Sequence, residues 1–179
     1  MDLSLSNNNG SGSSSSTPEM LLLAIQGEPG IRYRELLRKT GLVNGVLTYH
    51  LSVLEKAGTI RVDRHSARMT RYYPVNVPES ESQVLGYVRH EPVREIISFL
   101  LEHDTSTFNE IVEHTGKAPS TVSSHLKRLK EAGIVSVRYG EYQLYSLANR
   151  DLVADVLAKY RPTFADRVVD NYVEMLDEL

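Results

Sequence analysis

An internal repeat constrains this chain more than any other feature. Sliding the 179-residue sequence on itself by about 75 positions brings one segment into register with a later one without a gap. Tyr33-Arg-Glu-Leu-Leu-Arg-Lys-Thr-Gly41 falls on Phe108-Asn-Glu-Ile-Val-Glu-His-Thr-Gly116, and Tyr49-His-Leu-Ser-Val-Leu-Glu-Lys-Ala-Gly58 falls on Ser124-His-Leu-Lys-Arg-Leu-Lys-Glu-Ala-Gly133. The identities include Glu35/Glu110, Thr40/Thr115, Gly41/Gly116, His50/His125, Leu51/Leu126, Leu54/Leu129 and Ala57-Gly58/Ala132-Gly133. Such a match is hard to obtain by chance, so the chain holds two copies of one fold, each near the lower size limit for building its own core.

Each copy reads as three helices followed by a hairpin. In the second, Val93 to His103 places Ile96, Ile97, Leu100 and Leu101 at helical spacing, and Thr107 to His114 adds Phe108, Ile111 and Val112. Gly116 stops that helix, and a third runs from Pro119 or Ser120 to Ala132 with Val122, Leu126 and Leu129 on one face. Ile134 to Arg138 and Tyr142 to Leu147 are short β-rich runs around Tyr139-Gly-Glu141, a hairpin signature. The first copy repeats the order: Met20 to Ile25, Tyr33 to Lys39 and Asn44 to Ala57 as helices, then a slightly longer hairpin from Thr59 to Val75. Two helices joined by a short Gly-containing turn and followed by a hairpin describe a winged helix.

The expected fold class is therefore α+β, mostly α: two tandem winged helix-turn-helix domains with C-terminal helices. The expected division is a Ser/Asn/Gly tail over 1–17 that lacks the apolar residues to bury, a first domain over 18–78, and a short polar linker over 79–83. A second domain follows over 84–149, and helices over 150–179.

The resemblance is to the winged helix regulators of the ArsR/MarR type, particularly the tandem versions common in archaea. Thr115-Gly116-x-x-x-Ser120-Thr-Val-Ser-Ser-His-Leu-Lys-Arg-Leu-Lys-Glu-Ala-Gly133 looks very like their helix-turn-helix. Thr48-Tyr-His-Leu-x-x-Leu-Glu-Lys-Ala-Gly58, followed by a wing ending in Arg71-Tyr-Tyr-Pro74, is similar to the same pattern. The similarity covers roughly Pro18 to Ala148; it is specific for the fold and says little about the regulated pathway. It implies a transcription regulator that binds duplex DNA, with no enzymatic activity.

Charge at first argues against that partner, since the formal net charge is −3. Its distribution answers the objection: Pro18 to Pro78 holds nine Lys/Arg against five Asp/Glu, whereas Arg150 onward holds four against seven. A basic surface remains available away from the C-terminal end. No stretch approaches the roughly 20 apolar residues of a membrane span, and with no cysteine there are neither disulfides nor thiolate metal sites. A cytoplasmic, nucleoid-associated protein without cofactor or metal is expected. His103, Asp104 and His114 are disfavoured as a metal set because they sit at two helix ends.

In a helix-turn-helix the second helix enters the major groove. Once Val122, Leu126 and Leu129 face the core, Ser120, Thr121, Ser123, Ser124, Lys127 and Arg128 must face away, with Arg138 in the following wing. Small hydroxyls permit close approach to base edges or phosphate, and the cations add reach. The alternative is a merely solvated polar face. In the first copy the expected contacts are Thr48, Tyr49 and Ser52 on the helix and Arg61, Arg64, Arg68 and Arg71 in the wing, with His65 near its tip. The competing reading makes Val46, Tyr49 and Val53 a protein interface. His50 and His125, at one repeat position, are read as packing histidines.

Near the C-terminus, Phe164, Val168, Tyr172, Val173, Leu176 and Leu179 form an apolar stripe opposite Asp166, Asp170, Glu174 and Asp177. Phe164, Val168, Tyr172 and Leu176 are the expected homodimer interface; packing back onto the chain is the alternative. The partners expected are double-stranded DNA, a second copy of the chain and the transcription machinery, the other function class being a protein-binding scaffold. No phosphate-cradling glycine loop, metal-hydrolase spacing or nucleophile-base pair supports an enzyme.

Overall fold

A computed structural model describes residues 16–64 and 70–164. The tail before Ser16, the wing residues His65 and Arg68, and the stripe residues Val168, Tyr172, Val173, Leu176 and Leu179 therefore lie outside the described residues.

The first copy is built from α1 (Thr17–Gly27), β1 (Ile31–Arg32), α2 (Tyr33–Thr40), α3 (Asn44–Lys56), β2 (Ile60–Arg64) and β3 (Thr70–Pro74). The second begins with α4 (Glu79–Val88) and continues through α5 (Glu91–Glu102), β4 (Ser106–Thr107), α6 (Phe108–Thr115), α7 (Pro119–Glu131), β5 (Val135–Arg138) and β6 (Leu144–Leu147) to α8 (Arg150–Tyr160). Each copy thus closes a three-stranded antiparallel sheet, in the orders β1-β3-β2 and β4-β6-β5. The two-residue strands β1 and β4 escape sequence periodicity because they span only a single repeat of it.

Several residues shared by the repeats do the same work in both. Glu35 accepts the Arg32 backbone N–H at 2.8 Å and Glu110 accepts that of Thr107 at 2.7 Å, each sealing the start of the second helix. Thr40 and Thr115 donate back to the carbonyls of Leu36 and Ile111. Gly41 and Gly116 end those helices at φ 66° and 60°, in the left-handed region where a side chain would be strained.

The first core gathers Leu21, Ile25, Ile31, Leu36, Leu47, Leu51, Leu54, Ile60 and Tyr72. The second gathers Val84, Leu85, Val88, Ile96, Ile97, Leu100, Ile111, Val122, Leu126, Leu129, Val153 and Val156, and it also includes Tyr73 from the first copy. Successive residues of a strand point to opposite faces. On β3, Tyr72 enters the first core while Tyr73, fully buried, faces α4. Its hydroxyl donates to the Ser82 carbonyl at 3.0 Å, and burial pushes its pKa up to about 12, so it stays a donor. Gly30 and Gly86 make room for the ring: a Cβ would lie 3.0 Å from a Tyr73 ring carbon at Gly30 and 3.3 Å from its hydroxyl at Gly86.

The segment 79–83, expected to be a polar linker, is instead the first part of α4. Its glutamates Glu79 and Glu81 lie in the first turn, where carboxylates suit the helix dipole, and Ser82 is buried. The polar look of Glu79-Ser-Glu-Ser82 concealed a helix whose apolar side, Val84, Leu85 and Val88, joins the second core. Around it, Arg89 donates to the Pro29 carbonyl at 2.6 Å, Gln83 to the Ala132 carbonyl at 2.9 Å, and Lys159 and Tyr160 of α8 both reach Glu81.

Phe164, expected at a dimer interface, is buried in the second core, with the Arg94 guanidinium 5.1 Å from its ring centroid. An aromatic ring that finds cover within its own domain has no surface left to offer another subunit.

Truncation tests the shared strand directly. Tyr73→Ala is expected to cost about 3–5 kcal/mol, as for other large buried aromatics, and Tyr73→Phe about 1 kcal/mol for one hydrogen bond. Urea unfolding of the two variants against the parent measures both.

Candidate nucleic-acid interface

Helix α7 is oriented by its buried stripe. Val122, Leu126 and Leu129 are almost completely buried, which leaves Ser120, Thr121, Ser123, Ser124, Lys127, Arg128 and Lys130 exposed on the other side. Pro119 sits in the first turn, where its missing N–H costs nothing. Small hydroxyls occupy the N-terminal half of the exposed face and cations the C-terminal half, the order that favours close approach first and charge after.

The second wing extends this surface. Arg138 is exposed at the end of β5, and Tyr139 and Tyr142 are 64% and 68% exposed between the strands. Lys130 Nζ donates to the Tyr139 hydroxyl at 2.8 Å and lies 5.3 Å from its ring centroid, which ties the wing to α7. Neither tyrosine stands out from sequence as a contact; two aromatics flanking a Gly-Glu turn, where burial is excluded, are the signal that was available.

The first copy presents a different face. Leu47, Leu51 and Leu54 anchor α3, and Val46, Tyr49 and Val53 are 39%, 65% and 41% exposed. Thr48 spends its hydroxyl on Tyr33 at 3.0 Å, and Ser52 is half-buried. The described wing arginines are largely committed. Arg64 makes two hydrogen bonds of 2.6 Å to Glu55, which hold the Glu55 carboxyl below its usual pKa and the guanidinium above its own. Half-buried Arg61 lies 5.5 Å from the Tyr73 ring centroid.

Arg71 must be corrected outright. It is 4% exposed and donates to the Gly30 carbonyl at 2.8 Å. Being two residues from Tyr73 on the same strand, it shares the face that α4 covers, so it cannot reach a DNA backbone outside.

Between the copies lies a cavity of about 440 Å³. Arg32 and Arg71 come from the first sheet, Tyr87 from α4, His90 from the cap position of α5, and His125, Arg128 and Glu131 from α7. The His90 and His125 rings stand 5.3 Å apart. Burial, and then the neighbouring cationic groups, hold both imidazoles below their ordinary pKa. The repeat partner His50 packs edge-on against Tyr49 instead. His103 and His114 flank the Phe99 ring, each at 4.3 Å, and among the described residues no group of three His, Cys, Asp or Glu side chains converges as a metal site. Nor, among those residues, is any helix long and apolar enough to cross a membrane.

Comparison with known proteins agrees with both copies. Residues 91–137 match the family model of the bacterial regulatory protein, arsR family, and residues 16–61 match a model described as winged helix-turn-helix DNA-binding. The uncharacterized HTH-type transcriptional regulator MJ1398 of Methanocaldococcus jannaschii is 31% identical over 111 residues, 62% of this chain and 28% of that protein. The chain therefore matches little more than a quarter of that relative's length. Among solved structures, the transcriptional repressor BigR from Xylella fastidiosa is 25% identical over 45% of this chain and 82% of its own, with a TM-score of 0.40. M. tuberculosis Rv0081 is 28% identical over 52% and 92%, with a TM-score of 0.41. The two copies are winged helix-turn-helix domains in tandem. Within the second, the stretch 91–137 is similar to the arsR-family regulators.

The two histidines predict a pH dependence. An unfolded chain takes up protons near pH 6.5 that the folded chain refuses until lower pH. Stability present above pH 6.5 is thus lost as pH falls below it. Urea midpoints between pH 7.5 and 5 should decline, and His90→Gln with His125→Gln should flatten the decline.

Proposed function

We propose that the protein is a transcription regulator that binds a specific double-stranded DNA site, with α7 in the major groove and the second wing on the flanking backbone. The observation that carries this reading is the exposed row Ser120, Thr121, Ser123, Ser124, Lys127 and Arg128, set opposite the buried stripe on the second helix of a helix-turn-helix. Arg138 extends the cationic surface. Binding there blocks or recruits the transcription machinery.

A duplex selected from a random-sequence pool supplies the probe. Lys127→Ala with Arg128→Ala should weaken binding at least tenfold and lower the log–log salt slope by about two, close to one unit for each phosphate that is no longer neutralised. Unchanged affinity in that variant would remove α7 from the groove.

For the first copy, the observations favour a protein contact over DNA. Val46, Tyr49 and Val53 form an exposed apolar stripe, Arg71 is buried, and Arg64 is paired with Glu55. Tyr49→Ala with Val53→Ser should then leave duplex affinity within about twofold, whereas a drop of about tenfold or more would return α3 to the DNA.

A homodimer through Val168, Tyr172 and Leu176 belongs to the same reading, supported by the apolar stripe, and would supply two half-sites. Light scattering on the full chain should give twice 20.1 kDa; Tyr172→Glu with Leu176→Glu should give the single-chain mass.

A further inference from the structure

The cavity between the copies is walled by groups that neither the fold nor the DNA contact requires to converge. Among the described residues, Arg32, Arg71 and Arg128 contribute three guanidinium charges, against one carboxylate from Glu131. Tyr87, Val93 and Ala132 supply apolar wall. Two polar atoms of lining residues, Arg32 Nε and His125 Nδ1, are buried without a hydrogen-bond partner in the protein, a costly condition in a packed interior. Arg71 is held in place by the Gly30 carbonyl, so part of the cationic wall is preorganised. The volume, about 440 Å³, suits a small organic molecule rather than a bare ion.

We propose that this cavity is a binding site for a small organic anion, one that carries a phosphate or carboxylate for the arginines and a body that lies against Tyr87, Val93 and Ala132. Guanidinium groups match such oxyanions in geometry as well as charge. The occupant bridges both copies, because Arg32 and Arg71 belong to the first and the remaining walls to α4, α5 and α7. Arg128 stands on both surfaces, exposed on the DNA-facing side of α7 and lining the cavity. An anion that engages Arg128 withdraws a cation from phosphate, so anion and DNA binding oppose each other; this coupling rests on the reading of α7 as the groove helix. Linkage makes the opposition reciprocal.

Calorimetry on the full chain with adenosine 5′-monophosphate, citrate, inorganic phosphate and uncharged adenosine tests the site without DNA. At least one of the two organic anions should bind saturably and at least tenfold more tightly than inorganic phosphate, with adenosine inert. Arg32→Gln should weaken that binding at least tenfold. Ala132→Leu, which narrows the cavity and keeps every charge, should weaken it as well. No saturable binding of either organic anion at millimolar concentration, equal binding of inorganic phosphate, or unchanged affinity in both variants would overturn the site. Duplex affinity measured with and without the anion reads the coupling separately. A bound anion that leaves duplex affinity unmoved overturns the coupling and keeps the site, and failure of any duplex to bind rejects the regulator reading while calorimetry still decides the cavity.

Discussion

Strand β3 is buried on both faces, and the arrangement of the two copies depends on it. A strand in a half-exposed sheet alternates between core and water. Here Tyr72 fills the first core and Tyr73 enters the second, with Arg71 beside Tyr73 on the same face. Because the Tyr73 ring takes its space from Gly30 and Gly86, and its hydroxyl is received by Ser82, helix α4 is held against the first sheet at close range. The same helix supplies apolar residues to the second core. Arg89, also fully buried, clasps the Pro29 carbonyl and reinforces the contact. The copies share a structural element; they are not two beads on a tether.

That sharing explains why equivalent helices present different surfaces. In the second copy nothing compels the wing to face inward, so Arg138, Tyr139 and Tyr142 stay in solvent beside the hydroxyls and cations of α7. In the first copy the sheet that would carry a basic wing is committed to the contact with α4. Its arginines are drawn into that commitment, Arg71 wholly and Arg61 by lying over the Tyr73 ring, while Arg64 closes onto Glu55. Among the described residues, a wing that looks basic in sequence has little charge left for a phosphate backbone.

The helices and hairpins were legible because long amphipathic segments and glycine stops carry strong local signals: α2, α3, α6 and α7 begin and end within about a residue or two of where spacing puts them. The buried faces of α3 and α7, and so the exposed rows opposite them, followed directly from Leu47, Leu51, Leu54 and from Val122, Leu126, Leu129. What escaped depends on contacts between distant segments. Glu79-Ser-Glu-Ser82 is locally a fine loop and becomes helix only with Val84, Leu85 and Val88 to bury. Arg71 reads as a wing cation until something covers both sides of its strand. The run Tyr72-Tyr73-Pro74, which breaks the polar alternation expected of a half-exposed strand, was the available sign. The cavity was invisible for the same reason, since Arg32, His90 and Arg128 meet only when the copies dock.

The strand registers also show how the association is bounded. Val62 pairs with Tyr72 and Val137 with Tyr145, so the second-copy counterparts of Arg71 and Tyr73 are Leu144 and Ser146. Tyr72 and Tyr145 keep the inward role in both copies, but the outward pair has diverged. A further copy presented to β6 would find neither the ring nor the guanidinium that seats α4 on β3. The contact is therefore directional: the residues that seat α4 on β3 have no counterpart on β6.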